Sequence, residues 1–256
     1  MFNWRDCYTS FVNLSERTDR LRHITWQFAR FGIESVRTPG MYPHQFDRND
    51  PKLQVQWKRT PGSIGCMFSQ MKIMDEALRR GCDAMVFEDD AELCSDFPER
   101  MDYLQDFLNK QPNWDVAWLG GTVHLNPPYW HRPENPDLPN TKLLVDAERT
   151  KDPRIVKCFG AFCTYAYIVN VNSISKVLDG LIKVLPESIG IDWSFIRLGA
   201  ELDTFMMLPG MVKQIDNISD IGGGGTVVST FSGFSKLGSY WWQDKMEDFD
   251  PSTINL

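Results

Sequence analysis

The sequence predicts an α/β domain with a mostly parallel central sheet. Apolar, strand-like runs alternate with segments of helical period through most of the chain, the pattern of layered βαβ units. The 256 residues are 42% hydrophobic and 24% charged, enough for one sizeable core and unlike a disordered or collagen-like chain. No internal repeat and no Pro/Gly hinge divides the chain into comparable halves.

Residues 7–14 (C-Y-T-S-F-V-N-L) read as a buried strand. Leu21, Ile24, Phe28 and Phe31 then fall at helical spacing; Gly32 ends that helix, and a second short strand starts over 34–38. Residues 39–62, rich in Pro, Gly, Asn and Asp, read as a long loop, and loops of that length are commonly functional. Ser63 is a candidate cap for a helix with Ile64, Phe68, Met71 and Leu78 on one face, stopped by Gly81. An apolar strand over 84–87 runs directly into Glu88, Asp89 and Asp90. A helix over 97–107 and a strand over 116–119, ended by Gly120 and Gly121, precede a Pro-rich excursion at 126–139. Strands over 155–159 and 162–169 follow, then a helix over 173–182 with Ile174, Val177, Leu178 and Leu181 inward. The four glycines at 222–225 mark the most flexible point. Beyond them Phe231, Phe234, Tyr240, Trp241 and Trp242 are too apolar for a free tail, so residues 222–256 are expected to pack back onto the domain formed by 1–221.

Charge is unevenly spread. The net charge is -7, yet residues 1–60 hold 10 Lys/Arg against 6 Asp/Glu. A basic front and an acidic remainder suit an anionic ligand near the N-terminal segments and a cation further on; ordinary surface variation is the alternative. The overall sign argues against a non-specific nucleic-acid binder. Six cysteines occur without a C-x-x-C pair or a zinc-type His partner, several inside apolar runs, which suits free thiols in a reducing compartment and a cytoplasmic location. No stretch approaches 18 consecutive apolar residues, so no transmembrane segment is expected.

The strongest chemical signal is V-F-E-D-D at 86–90. Adjacent acids at the end of a buried strand are costly unless something positive sits among them. In open α/β sheets ligands bind off the carboxyl ends of the strands, so this is a place for Mn²⁺ or Mg²⁺ bridging to a diphosphate. A solvated acidic turn is the plainer alternative. Asn13 and Leu14 lead into Arg17 and Arg20, which share a helix face beside a phosphate-friendly helix start, or else form a solvated basic face. Gly65, Ser69 and Gln70 lie in a small-residue helix entry, G-S-I-G-C-M-F-S-Q, where glycine allows close backbone approach to a ligand.

Together these stretches resemble glycosyltransferase family 25, the lipopolysaccharide- and collagen-type galactosyl- and glucosyltransferases. The matching segments are F-V-N-L-S-E-R-T-D-R (11–20), G-S-I-G-C-M-F-S-Q (62–70), M-V-F-E-D-D-A-E-L (85–93), W-D-V-A-W-L-G (114–120), A-F-C-T-Y-A-Y-I-V (161–169), I-D-W-S-F (191–195) and S-D-I (219–221), in the family's order. The resemblance implies a GT-A-type sandwich and metal-dependent, inverting transfer of a hexose, galactose or glucose, from a UDP-sugar. By position it makes Asp90 the metal acid and Asp89 its partner toward ribose or metal, with Glu88 orienting. Arg17 and Arg20 match donor-side arginines, Asp192 an acid near the acceptor, and Asp220 a C-terminal acid completing the metal or donor site. The family usually carries Ser-His where this chain has Ser69-Gln70, and Gln cannot take a proton near neutral pH. Asp192 is the candidate base for the acceptor hydroxyl, or alternatively the N-cap of a helix starting at Trp193. The expected acceptor is a saccharide or small glycoconjugate, met by the aromatic and acidic half that holds His124, Tyr129, Trp130, Trp193, Trp241 and Trp242. A nucleotide-sugar hydrolase or nucleotidyltransferase, and a non-catalytic sugar-nucleotide-binding module, are the alternatives.

Overall fold

The computed structural model describes residues 1–45, 61–121, 147–161, 163–185, 190–215, 217–218, 220, 227–228 and 242–248. Its centre is an eight-stranded mixed sheet of β1 (Tyr8–Asn13), β2 (Val36–Pro39), β3 (Ala84–Glu88), β5 (Val116–Trp118), β6 (Ala147–Arg149), β7 (Ile155–Cys158), β8 (Ala166–Val169) and β9 (Thr204–Met207). The spatial order is β2-β1-β3-β8-β5-β9-β7-β6. β2, β1, β3, β5, β9 and β6 run one way; β8 and β7 run against them, so the sheet is mostly but not wholly parallel. Two short antiparallel pairs lie outside it: β4 (Ala91–Leu93) with β10 (Val212–Gln214), and β11 (Asn217–Ile218) with β12 (Val227–Val228).

Helices cover both faces. On one side, α2 (Pro61–Arg80), α4 (Ile174–Val184) and α5 (Ile191–Leu198) pack on Val86, Val116, Trp118, Tyr167, Val169 and Met206. On the other, α1 (Thr18–Ala29) and α3 (Phe97–Leu108) pack on Phe11, Met85, Phe87, Ala117, Ile168 and Phe205. Period-2 alternation explains the split, since successive residues of β3 feed opposite cores. Central β3 and β8 are therefore apolar on both faces, whereas edge strand β2 is largely exposed.

Several boundaries differ from expectation. α2 begins at Pro61, not after a Ser63 cap; proline suits the first helical turn, where its missing N–H is not needed. Its most deeply buried residues include Met67, Ile73, Met74 and Ala77, while Phe68 and Leu78 are only half-buried. β8 starts at Ala166 because Cys163 takes a left-handed φ of 63° and the Tyr165 N–H turns back to its carbonyl, 2.9 Å away. Gly32 and Gly81 leave α1 and α2 at φ 62° and 71°, as the sequence implied. Residues 46–60, the Pro-rich excursion and Phe231, Phe234, Tyr240 and Trp241 lie outside the described residues.

Part of the C-terminal segment meets the body. The fully buried Arg100 guanidinium donates to the carbonyls of Gly210, at 3.2 Å, and Gln243, at 2.7 Å. The Met246 N–H donates to Asp96 Oδ2, and Lys213 Nζ stands 4.0 Å from the Trp242 ring centre.

Candidate active site

The candidate site forms at the carboxyl ends of β1 and β3. These strands are parallel neighbours with Val12 opposite Glu88, so the next step along each brings Asn13 to Asp89. Asn13 Nδ2 donates to Asp89 Oδ2 at 2.7 Å and to the Arg17 carbonyl at 3.1 Å, which ties the start of α1 to the end of β3. Arg20, in the first turn of α1, is 8% exposed and reaches back between the acids. Its Nη1 lies 3.1 Å from Asp89 Oδ1 and 3.0 Å from Asp90 Oδ2. Arg17 makes a bidentate pair with Asp19, at 3.1 and 3.0 Å, and also pairs with Asp220. Asp220 Oδ2 is 3.7 Å from Arg20 Nη1.

Asp89, Asp90 and Asp220 thus come together around two guanidinium groups. That answers the cost of burying adjacent carboxylates, because a partnered charge in a low-dielectric site is far cheaper than a bare one. Burial still pushes the Asp89 and Asp90 carboxyls above their ordinary range, although Arg20 works against it for both. β10 closes over Asp90: Gln214 Nε2 donates to Oδ2 at 2.9 Å, and the Ile215 N–H donates to the Asp90 carbonyl at 2.9 Å. The remaining oxygen, Asp90 Oδ1, is buried and accepts no hydrogen bond from the described residues. Buried acceptors are normally satisfied, so this carboxylate oxygen, like the Asn13 Oδ1 of the same site that also lacks a partner among the described residues, is a position that an added cation or donor would satisfy.

Among the described residues, no cluster of three or more His, Cys, Asp and Glu side chains is arranged to hold a metal ion. A full protein cage is not required, however. Mg²⁺ and similar hard cations commonly take one or two carboxylates and fill the other positions with diphosphate and water. Asp90 Oδ1 fits that requirement. Asp89 has one oxygen on Asn13 and the other on Arg20.

Glu88 forms a second half of the site with α2 and α5. Gln70 Nε2 donates to Glu88 Oε1 at 2.9 Å, and Cys66 Sγ lies 3.5 Å from the same oxygen. Burial pushes the Glu88 carboxyl up to about 8, with the charges of Asp90, Asp89 and Asp192 adding to the effect. Asp192 is therefore electrostatically part of this cluster. It sits in the first turn of α5, whose N-cap is Gly190, not Asp192. Asp192 Oδ1 accepts the Trp193 N–H at 2.8 Å, and the carboxylate also accepts the backbone N–H of Cys163. Burial raises its proton affinity against these two donors.

Three residues singled out from sequence have local tasks. Leu14 accepts the Arg17 N–H through its carbonyl. Ser69 Oγ donates to the Gly65 carbonyl at 2.6 Å and accepts the Met41 N–H at 2.8 Å. A Cβ on Gly65 would stand 2.2 Å from the Met41 carbonyl oxygen, so the close approach that glycine permits there is by the chain's own backbone. Sequence reasoning missed Gln214 and Ile215, which carry no motif. It also missed Tyr167 and Cys163, which fall inside a family-like stretch but are there easily read as core residues. His124, Tyr129, Trp130 and His131 lie outside the described residues.

The α/β sheet gathers its acids and arginines at the carboxyl edge, the place where open α/β sheets bind ligands. The profile of glycosyltransferase family 25 (LPS biosynthesis protein) matches residues 9–192, and the chain belongs to that family. A rat relative, a probable inactive glycosyltransferase 25 family member 3 (Rattus norvegicus), is 35% identical over 63 residues, which is 24% of this chain and 11% of the relative. The bovine protein of the same description (Bos taurus) is 27% identical over 131 residues, 50% of this chain. The match spans only 19% of the bovine protein's length. The crystal structure of mouse xyloside xylosyltransferase 1, apo form, aligns with a TM-score of 0.43 at 13% identity, covering 91% of this chain and 79% of that one.

Proposed function

We propose that the chain is a glycosyltransferase of the GT-A type that moves a hexose, galactose or glucose, from a UDP-sugar to a hydroxyl of a saccharide or glycoconjugate, with inversion. The observation that carries this reading is Asp90: a buried strand-end carboxylate with one oxygen lacking any donor among the described residues, next to arginine-paired acids. A divalent cation held by Asp90, with Asp89 and Asp220 beside it, would supply positive charge against the departing diphosphate. The acceptor oxygen bonds to the anomeric carbon as the bond from that carbon to the diphosphate oxygen breaks. UDP leaves with the electron pair, and the acceptor proton passes to Asp192. Burial favours this role for Asp192, because it raises the carboxylate's proton affinity. Arg17 and Arg20 orient the acids and add positive charge on the donor side.

The names of the mammalian relatives favour a second reading, a sugar-nucleotide-binding module without transfer. One experiment separates the two. The chain is screened with UDP-, GDP- and ADP-sugars for donor hydrolysis and for transfer to saccharide acceptors, with Mn²⁺ and with EDTA. Transfer from a UDP-sugar that needs Mn²⁺ and is lost in Asp192→Asn, with UDP binding kept, supports the transferase. UDP binding without any turnover supports the binding module. Full transfer in EDTA sinks the metal-dependent reading.

A further inference from the structure

Gln70 is fully buried and its side-chain amide is engaged at both ends. The Tyr167 hydroxyl donates to Gln70 Oε1 at 2.8 Å. Gln70 Nε2 donates to Glu88 Oε1 at 2.9 Å and to Cys66 Sγ at 3.3 Å. The carboxylate accepts only from the amide N–H, which leaves the amide oxygen facing Tyr167, and the hydroxyl that donates to it holds Gln70 in that orientation. Tyr167 is itself immobilised, fully buried between Trp118 and Phe195 with ring centres 5.4 and 5.2 Å away. It pairs with Val86 across the sheet, and so shares a face with Val86 and Glu88. Glu88 Oε1 is taken by these inward donors. Glu88 Oε2 has no hydrogen-bond partner among the described residues, and Glu88 remains partly exposed.

We propose that Tyr167 and Gln70 are a positioning pair, which sets the Glu88 rotamer through this buried chain and leaves Oε2 for a hydroxyl of the bound sugar nucleotide. Neither residue touches the ligand. The identity of the ligand rests on the glycosyltransferase reading, whereas the chain of bonds does not. Replacing Tyr167 by Phe leaves Gln70 Oε1 buried without its donor, which frees the amide to turn and releases Glu88.

The test is a double-mutant cycle on the whole chain, with a measurement that needs no ligand beside it. Tyr167→Phe is expected to weaken UDP-sugar binding and lower kcat/KM about tenfold, the range for coupled neighbours. The same change made in Glu88→Ala should cost nothing further. Gln70→His can accept from Tyr167 and donate to Glu88, and so should retain more than Gln70→Leu. In protein carrying ¹³C-labelled Glu, the carboxyl resonance that Glu88→Gln removes should shift or broaden in Tyr167→Phe. An equal loss in both backgrounds, or an unmoved Glu88 resonance, overturns the proposal and leaves Tyr167 as packing. If the resonance moves but the unmodified chain neither binds nor turns over UDP-sugars, the positioning pair stands and the glycosyltransferase reading fails.

Discussion

Two groups of carboxylates occupy opposite ends of the same sheet. Asp83, Asp115 and Asp203 stand just before β3, β5 and β9, beside a cleft of ≈ 600 Å³ that also takes in Asn109, Asn170 and Lys176. Glu88, Asp89 and Asp90 stand where β3 ends. Asp115 is held on every side: Oδ1 accepts the Ser173 hydroxyl at 2.5 Å, and Oδ2 accepts Lys176 Nζ at 2.8 Å and the Asp203 N–H at 2.7 Å. Burial alone would raise its pKa, but these donors outweigh it and hold the carboxyl below its ordinary range. Asp90 is more deeply buried, keeps an oxygen with no donor among the described residues, and is pushed up. A carboxylate whose hydrogen bonds are made internally is a structural brace, whatever space lies beside it. One left short of donors costs stability, and a bound cation or donor would recover that cost. The open cleft at the amino ends of the strands is therefore the poorer candidate.

The comparison can be broken most strongly at Arg20. Arg20→Met removes the cation between Asp89 and Asp90 and should cost about 3–5 kcal/mol of stability, as for one partner of a buried pair, unless the acids take up protons. Chemical denaturation at pH 8 and pH 5 checks this, with the smaller loss expected at pH 5. Asp90→Ala should lower transfer by about 10²–10³-fold, the scale for losing one electrostatic contact to a transition state. The melting temperature of the ligand-free chain should meanwhile stay level or rise, because repulsion with Asp89 is removed. A normal rate would place Asp90 with Asp115 as a brace.

Asp115→Ala should do the opposite. It strands the Ser173 hydroxyl and the Asp203 N–H, costs about 1–3 kcal/mol, and leaves UDP binding unchanged. The pH dependences should differ in sign as well. Glu88 binds its proton more tightly folded than unfolded, so its contribution is lost as pH rises through about 8 and is fully present below its ordinary 4.5. Asp115 is depressed on folding, so its contribution is present above 3.8 and lost as pH falls through the lower folded value. Thermal melts from pH 3 to 9 test both, and Glu88→Gln should flatten only the alkaline limb. The smallest effect is expected at Arg17, whose pair with Asp220 is partly open to water. Arg17→Ala should weaken UDP binding a few-fold, more at low salt, and change stability by less than about 1 kcal/mol.

Local pattern determined much of this molecule. The alternation of buried strands with helices of 3.6 period was readable because β3 and α4 bury apolar residues alone, and α1 and α3 bury a mainly apolar stripe that the polar Arg20, Gln27 and Arg100 interrupt without hiding its period. The acids of 88–90 were readable for the complementary reason, being polar where the pattern calls for a strand to end. What depended on partners far along the chain was not readable. The reversal of β8 and β7 is settled by which strands they pair with, not by their composition. The tasks of Gly65 and Ser69 depend on Met41, and that of Gln70 on Tyr167, 97 positions away. The sequence by itself thus placed the charges at the end of a strand. Only the tertiary structure decided which of their oxygens are spent on Asn13, Arg20 and Gln214 and which remain, because hydrogen-bond satisfaction is a property of three-dimensional neighbours and has no period along the chain.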